Sequence, residues 1–369
     1  MCSRHRLGEP NNQTGNNQMN KPRVSICLPN LNTFPFLQER FDTIFNQTLQ
    51  DWELFVYDSF SDDGSWELIQ NLAKKEKRMR IAQGPRQGTY PAWNECLRQT
   101  DAEYVYIATS DDTMASDCIE KLVKALDQHA DCDLAHCPLV LVDETGARLT
   151  SQTWPECTVF GVGIENLVNK AHVRRAPHDG LLQLTGRHTY LSITELLIRR
   201  SLFSKTGYFT SKWGPVSDFN WEMRAGLIAN TVHVPDTWAS WRIHSQQASA
   251  AIDVHTVEHY RKFEDMIQDA VSACESYLAP EVVAGLRSVL LEKSGTMRAY
   301  YAGLRQRQNS MDRRQFQLSQ LLTGSPATRS QIIGRFFGRP KWPDFAPTEI
   351  RRWLQSCGIQ PLVPVRIED

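Results

Sequence analysis

No run in this sequence approaches the roughly 18 apolar residues that a bilayer crossing needs; the apolar pieces are short, such as Pro138–Val142. The opening stretch "MCSRHRLGEPNNQTGNNQMN" is polar, rich in Asn and Gln, and has no apolar h-region. It reads as a disordered leader over residues 1–21 and not as a secretory signal. The nine cysteines form no CxxC pair and no regular framework. A disulfide scaffold is therefore disfavoured, and reduced core thiols in a cytoplasmic protein are expected. Cys132 and Cys137 flank His136, but no second ligand pair has the matching spacing of a zinc site. A formal net charge of -1 names no partner and offers no basic excess for nucleic acid. Internal repeats are absent too. What remains is an ordinary globular chain, 41% hydrophobic and 22% charged, long enough for one large domain with an appendage.

From Arg23 the hydrophobic pattern alternates between strand and helix. "VSICLP", "ELFVYD", "MRIAQ" and "YVYIAT" are short apolar runs. Between them Phe34, Leu37, Phe41, Ile44 and Phe45, then Trp66, Ile69, Leu72 and Ala73, recur at helical spacing. Such alternation predicts an α/β domain with a mostly parallel sheet covered on both faces. Beyond Asp133 a strand and hairpin are expected, then a loop-rich stretch, then a loop and helix at "GPVSDFNWEMRAG". From about Asp253 the chain reads as helical, with breaks at Pro280, Gly324–Pro326 and Pro340–Pro347.

The fourth strand ends on two adjacent carboxylates, Asp111 and Asp112, which repel each other and resist burial. Taken alone, "SDD" is a solvated turn whose Ser110 and Asp111 cap the next helix. In an open α/β sheet, however, the ligand crevice lies beyond the carboxyl ends of the strands. Pro29–Asn32, Asp58–Asp63, Arg86–Tyr90 and Ser110–Asp112 are all strand ends of this kind and should meet on one rim. If that rim binds a nucleoside-diphosphate sugar, the leaving diphosphate develops negative charge. A hard divalent cation, Mn2+ or Mg2+, held by Asp111 would neutralise it and relieve the repulsion with Asp112. Asp58 is placed to accept a hydrogen bond from a base or ribose. A nucleotidyltransferase would want a glycine-rich basic loop after the first strand, and "PNLNTFPF" is not one.

These segments resemble family 2 glycosyltransferases of the GT-A fold, of the bacterial non-processive type. "PRVSICLPNLN" is similar to the family's opening strand and "LQDWELFVYDSFSDDGSWELI" to its second strand and acidic loop. "QGTYPAWNECLRQTDAEYVYIATSDD" resembles the segment that ends in the DxD-type metal site, here Thr109–Asp111. The resemblance implies Asp111 as metal ligand. Later, "VSDFNWEMRAG" implies the catalytic base at Asp218, and "WRIHSQQAS" implies a histidine near metal and diphosphate, His244. Donor-binding candidates are Pro29, Asn32, Asp58, Asp63, Gly88, Tyr90, Asn94, Ser110 and Asp112. The likeness covers roughly residues 22–250, leaving 251–369 as a helical C-terminal region. It departs from the family pattern where Thr109 replaces the first carboxylate and where Ser59–Phe60 replace Asp-Gly. No QxxRW motif is present, which argues against a processive synthase.

Asp218 has a plain alternative as a helix cap, His244 as a structural histidine, and Arg224 as a structural partner for Asp218. As a whole, the alternative to a transferase is a non-catalytic nucleotide-sugar-binding or scaffold protein of the same fold. Between Gly295 and Trp342 nine Lys or Arg face one acid, Asp312. The simplest reading is a solvated helical face. The functional one is a peripheral contact with an anionic membrane carrying a glycan or lipid-linked acceptor.

Overall fold

Strand and helix alternate through the first third of the chain, as the hydrophobic pattern requires. In the computed structural model residues 21–153, 164, 166–185, 187–247, 257–288, 290, 347–360 and 362–368 are described. The order is β1 (Val24–Asn30), α1 (Phe34–Phe45), β2 (Trp52–Asp58), α2 (Ser65–Ala73), β3 (Met79–Gln83), α3 (Thr89–Gln99), β4 (Tyr104–Ile107) and α4 (Cys118–Gln128). β1 runs parallel to β2 on one side and to β4 on the other, with Asn30 opposite Asp58 and Cys27 opposite Ile107. All seven β1 residues are buried, as a central parallel strand demands.

Pro29 sits in this central strand without an N–H to donate. The Cys27 carbonyl points toward β4, where it accepts the Ala108 amide at 2.8 Å. Two residues on, Pro29 faces the same side, but β4 has already ended. The missing donor therefore costs no ladder bond, which is why proline is tolerated there.

The second half is less regular: β5 (Leu134–His136), β6 (Leu139–Val142), β7 (His172–Arg174), α5 (His178–Leu184), β8 (Leu196–Arg199), α6 (Phe203–Thr206), α7 (Asp218–Ile228), β9 (Thr231–His233) and β10 (Ala239–Arg242). The main sheet has the order β3-β2-β1-β4-β8-β5-β9-β7. Its β1–β2, β1–β4, β2–β3 and β5–β9 pairings are parallel, and β4–β8, β5–β8 and β7–β9 are antiparallel. The parallel expectation thus holds for the first half, and the second half is mixed because β8 inserts in reverse between β4 and β5. The expected hairpin is the return of the chain at Asp143, whose amide bonds the Ala147 carbonyl at 2.9 Å. β6 pairs in parallel with β10, a small separate sheet that brings the end of β10 to the rim.

α5 and α7 cross where both are reduced to glycine. A Cβ on Gly180 would lie 2.6 Å from the Leu227 amide nitrogen, and one on Gly226 would lie 2.5 Å from that of Gly180. The C-terminal helices α8 (Val257–Cys274), α9 (280–288) and α10 (Pro347–Ser356) build on this crossing. Pro280 and Pro347 each open a helix, where a missing N–H costs nothing. Met266, Ile267, Ala270, Val271, Leu286, Ile350, Trp353 and Leu354 pack with Leu181, Leu182, Met223 and Leu227 into one buried cluster. Among the described residues no helix is long and apolar enough to cross a membrane. Residues 1–20 of the leader and all of the basic stretch 295–342 fall outside the described residues.

Candidate active site

The candidate residues fall into three stations, two of them at the carboxyl ends of the parallel strands β2 and β4. The first is Asp58, fully buried at the end of β2. Its carboxylate accepts Asn30 Nδ2 at 2.7 Å, the Ser61 amide at 3.0 Å and Gln83 Nε2 at 2.9 Å, which offset its burial. The loops after β1 and β2 are zipped together. Asn32 Nδ2 donates to Asp62 Oδ1 at 2.8 Å, and the Asp62 amide donates back to Asn32 Oδ1 at 3.0 Å. Asn32 and Phe60 adopt left-handed φ values of 54° and 52° in these loops. Asp63 accepts the Phe34 amide at 2.9 Å and the Ser65 amide at 3.0 Å, so it caps α1 and α2 from the loop between them. Burial opposes its ionisation, but these amide bonds hold its carboxyl below the usual range.

The second station is the pair that ends β4, and the two carboxylates face different ways. Asp112 is buried and turns inward, accepting the Arg242 amide at 2.8 Å and the Thr109 hydroxyl. Burial first, and the neighbouring charge of Asp111 second, push its pKa up to about 7. It thereby ties the β4 turn to β10. Asp111 turns outward and meets His244 Nε2 at 2.9 Å. The buried Arg242 anchors the turn from β10. It donates Nε to the Asp111 carbonyl at 2.8 Å and NH2 to Glu39 Oε2 at 2.6 Å. Neither Ser110 nor Asp111 caps the next helix, because α4 begins only at Cys118, with Asp117 at its N-cap.

Asp111 and His244 fit a hard divalent cation in part. One carboxylate oxygen and one imidazole nitrogen converge, with 21% of the Asp111 side chain still exposed. No cluster of three or more His, Cys, Asp or Glu stands ready among the described residues. Mn2+ or Mg2+ held here would keep its remaining positions for phosphate and water, the usual arrangement for such ions.

The third station is Asp218, the first residue of α7, with Ser217 at the N-cap. Tyr90, at the start of α3, reaches it: the phenol oxygen lies 3.1 Å from Asp218 Oδ1 and 2.9 Å from the Pro215 carbonyl. Burial raises the Asp218 pKa to about 6, against the opposing Tyr90 and Phe219 hydrogen bonds. Arg224 does not pair with Asp218; it donates to the Thr206 and Tyr208 carbonyls. The Asn94 amide is engaged at both ends by the Phe209 backbone, at 2.8 and 3.1 Å. Gly88 precedes α3 at φ 101°, with open space where a Cβ would stand. Ser110 lies half-buried in the turn after β4.

Residues 25–206 match the family model "Glycosyl transferase family 2". They form a family 2 glycosyltransferase domain. The fold is GT-A: it is similar to that of S. aureus TarS in complex with UDP-GlcNAc, at a TM-score of 0.55 and 14% identity over 85% of this chain and 80% of that one. It is also similar to that of the mannosyltransferase PcManGT from Pyrobaculum calidifontis in complex with GDP-Man and Mn2+, at a TM-score of 0.53 and 15% identity over 92% of this chain and 87% of that one. Among curated proteins, a Haemophilus influenzae uncharacterized glycosyltransferase is 34% identical over 126 residues, 31% of this chain and 50% of its own. The Campylobacter jejuni GalNAc(5)-diNAcBac-PP-undecaprenol beta-1,3-glucosyltransferase is 30% identical over 105 residues, 28% of this chain and 34% of its own. The chain thus spans half or less of the length of these two curated relatives. The matched family 2 stretch holds Asp58 and Asp111 but stops before Asp218 and His244.

Proposed function

We propose that the protein is an inverting, metal-dependent glycosyltransferase that moves a sugar from a nucleoside-diphosphate donor to an acceptor hydroxyl. This reading is supported by Asp58 and Asp111 closing β2 and β4 of a family 2 domain, with His244 bonded to Asp111 and Asp218 bonded to Tyr90 at the start of α3. Asp58, buried and fixed by three donors, orients the nucleoside. Asn32, Gly88 and Ser110 lie on the surrounding loops. A cation held by Asp111 and His244 would act as a Lewis acid for the leaving diphosphate. Asp218 takes the proton from the acceptor hydroxyl as its oxygen bonds to the anomeric carbon and the bond to the diphosphate breaks. The donor-bound neighbours support a nucleotide-sugar donor, and the Campylobacter relative, named for an undecaprenol-linked acceptor, supports a lipid-linked glycan. A basic stretch at 295–342 would suit an acceptor held at an anionic membrane.

The test is a thermal-shift screen of UDP- and GDP-sugars with Mn2+ or with a chelator, followed by assay of donor turnover. At least one donor should stabilise the protein more with Mn2+, and Asp111→Asn should abolish the difference while melting like wild type. A donor that binds but is never hydrolysed or transferred would make the protein a non-catalytic binder of the same fold.

A further inference from the structure

Tyr90 is locked. Its ring is 5% exposed, set edge-on to Trp93 at 5.2 Å and nearly parallel to Phe209 at 6.4 Å. A phenol carries a single hydrogen, yet two acceptors stand within its reach, the Pro215 carbonyl at 2.9 Å and Asp218 Oδ1 at 3.1 Å. The Phe219 amide also donates to Oδ1, at 3.1 Å. Both bonds therefore fall on one oxygen, and Oδ2 receives no hydrogen bond among the described residues.

We propose that Tyr90 is the positioning residue of the base: its hydroxyl hydrogen holds Asp218 Oδ1 while the carboxylate is ionised and turns to the Pro215 carbonyl once Oδ2 has taken a proton. The proposal rests on the reading of Asp218 as base. A hydrogen bond to a charged oxygen is stronger than one to a neutral carbonyl, so the ionised carboxylate wins the hydrogen. After proton transfer that advantage is gone, and the carbonyl, slightly nearer, gives the hydrogen a second partner. The phenol therefore stabilises the state that is ready to accept a proton, without leaving a buried donor unpaired in the other.

The surrounding groups agree. One turn along α7, Glu222 is fully buried, and among the described residues the Gln183 side chain faces it without a hydrogen bond of normal geometry to its carboxyl oxygens. Burial, and then the charge of Asp218, push its pKa well above the usual carboxylate range. Glu195 lies behind it, bonded to His136 Nε2 at 2.9 Å. On the α5 side Gln183 is neutral and Asp179 is tied to Arg174 Nε at 2.6 Å. On the α8 side Asp269 is taken by Lys212 Nζ and Asn220 Nδ2, both at 3.2 Å. Among the described residues Asp218 accepts hydrogen bonds from the Tyr90 hydroxyl and the Phe219 amide, besides its own backbone amide.

The experiment is an infrared titration of the carboxyl stretch in the whole protein, with no substrate. The Asp218 band is assigned by its loss in Asp218→Asn. Tyr90→Phe, which keeps the ring and its packing, should move the Asp218 midpoint up by about one pH unit, tenfold in its acid dissociation constant. Replacing tyrosine with 3-fluorotyrosine makes the phenol a stronger donor and should move the midpoint down, a second readout that needs no mutant to fold. An unmoved midpoint in either protein overturns the proposal. Because no substrate is used, the outcomes separate. Transfer that survives Asp218→Asn would sink the base, whereas transfer lost in Asp218→Asn with an unmoved midpoint would sink only the role of Tyr90.

Discussion

Removing the charge of Asp218 while keeping its shape separates a base from a helix-end residue. Asp218→Asn should leave donor affinity in place and lower transfer by about two to four orders of magnitude, the range for a positioned general base. In the wild type the rate should climb as pH rises through about 6, because the carboxylate must be ionised to accept a proton. Steady-state rates against donor and against pH check both, and equal loss of donor binding in the variant would make Asp218 a binding or structural group. At this scale the sequence was half legible. Asp58 and Asp111 could be picked out because carboxylates at strand ends announce themselves by position, and Asp218 through the likeness of its segment to a family one. Their partners could not. Asn30 reads as one more polar turn residue, although it donates to Asp58 at 2.7 Å. Arg242 sits in an ordinary "WRIH", although it anchors the Asp111–Asp112 turn. Which of two adjacent carboxylates points inward depends on β10, more than 120 residues away, and spacing carries no trace of that.

At the scale of elements, the first four strands were legible because each is a short apolar run bounded by turn residues. The order of the later strands was not. β5, β7 and β9 are three residues each, too short for alternation to register, and β8 is set antiparallel by contacts remote in sequence. A glycine pair was also silent: nothing around Gly180 and Gly226 in the chain marks them, but they let α5 and α7 touch backbone to backbone. Gly180→Ala should therefore destabilise the protein, despite the better helix propensity of alanine. The new methyl would stand 2.6 Å from a backbone nitrogen that cannot turn aside. A cost of about 1–3 kcal/mol is expected for such overpacking. Chemical denaturation measures it, and a stability equal to or above wild type would mean that the crossing relaxes freely.

Over the whole molecule, the boundary near residue 250 divides the chain by pattern but not by packing. α8 and α10 close over α5 and α7 and share one apolar cluster with them, so the helical region is a wall of the domain that carries Asp218. Sequence periodicity identifies such helices but cannot say what their apolar faces meet. Cutting the chain after residue 253 would uncover Leu181, Leu182, Trp213, Val216, Met223 and Leu227 together. Each large side chain returned to water forfeits about 1.5–3 kcal/mol, and a contiguous patch of this kind favours aggregation. A fragment ending there should accumulate in the insoluble fraction, or melt far below the full chain if it is recovered. α7 begins with Asp218, so the same cut should also loosen the carboxylate from Tyr90. Sedimentation of the expressed fragment decides the point: a soluble, monomeric product that melts like the full chain would show that the C-terminal helices are an appendage. In that outcome vesicle binding by 295–342 would become the natural account of why they are there.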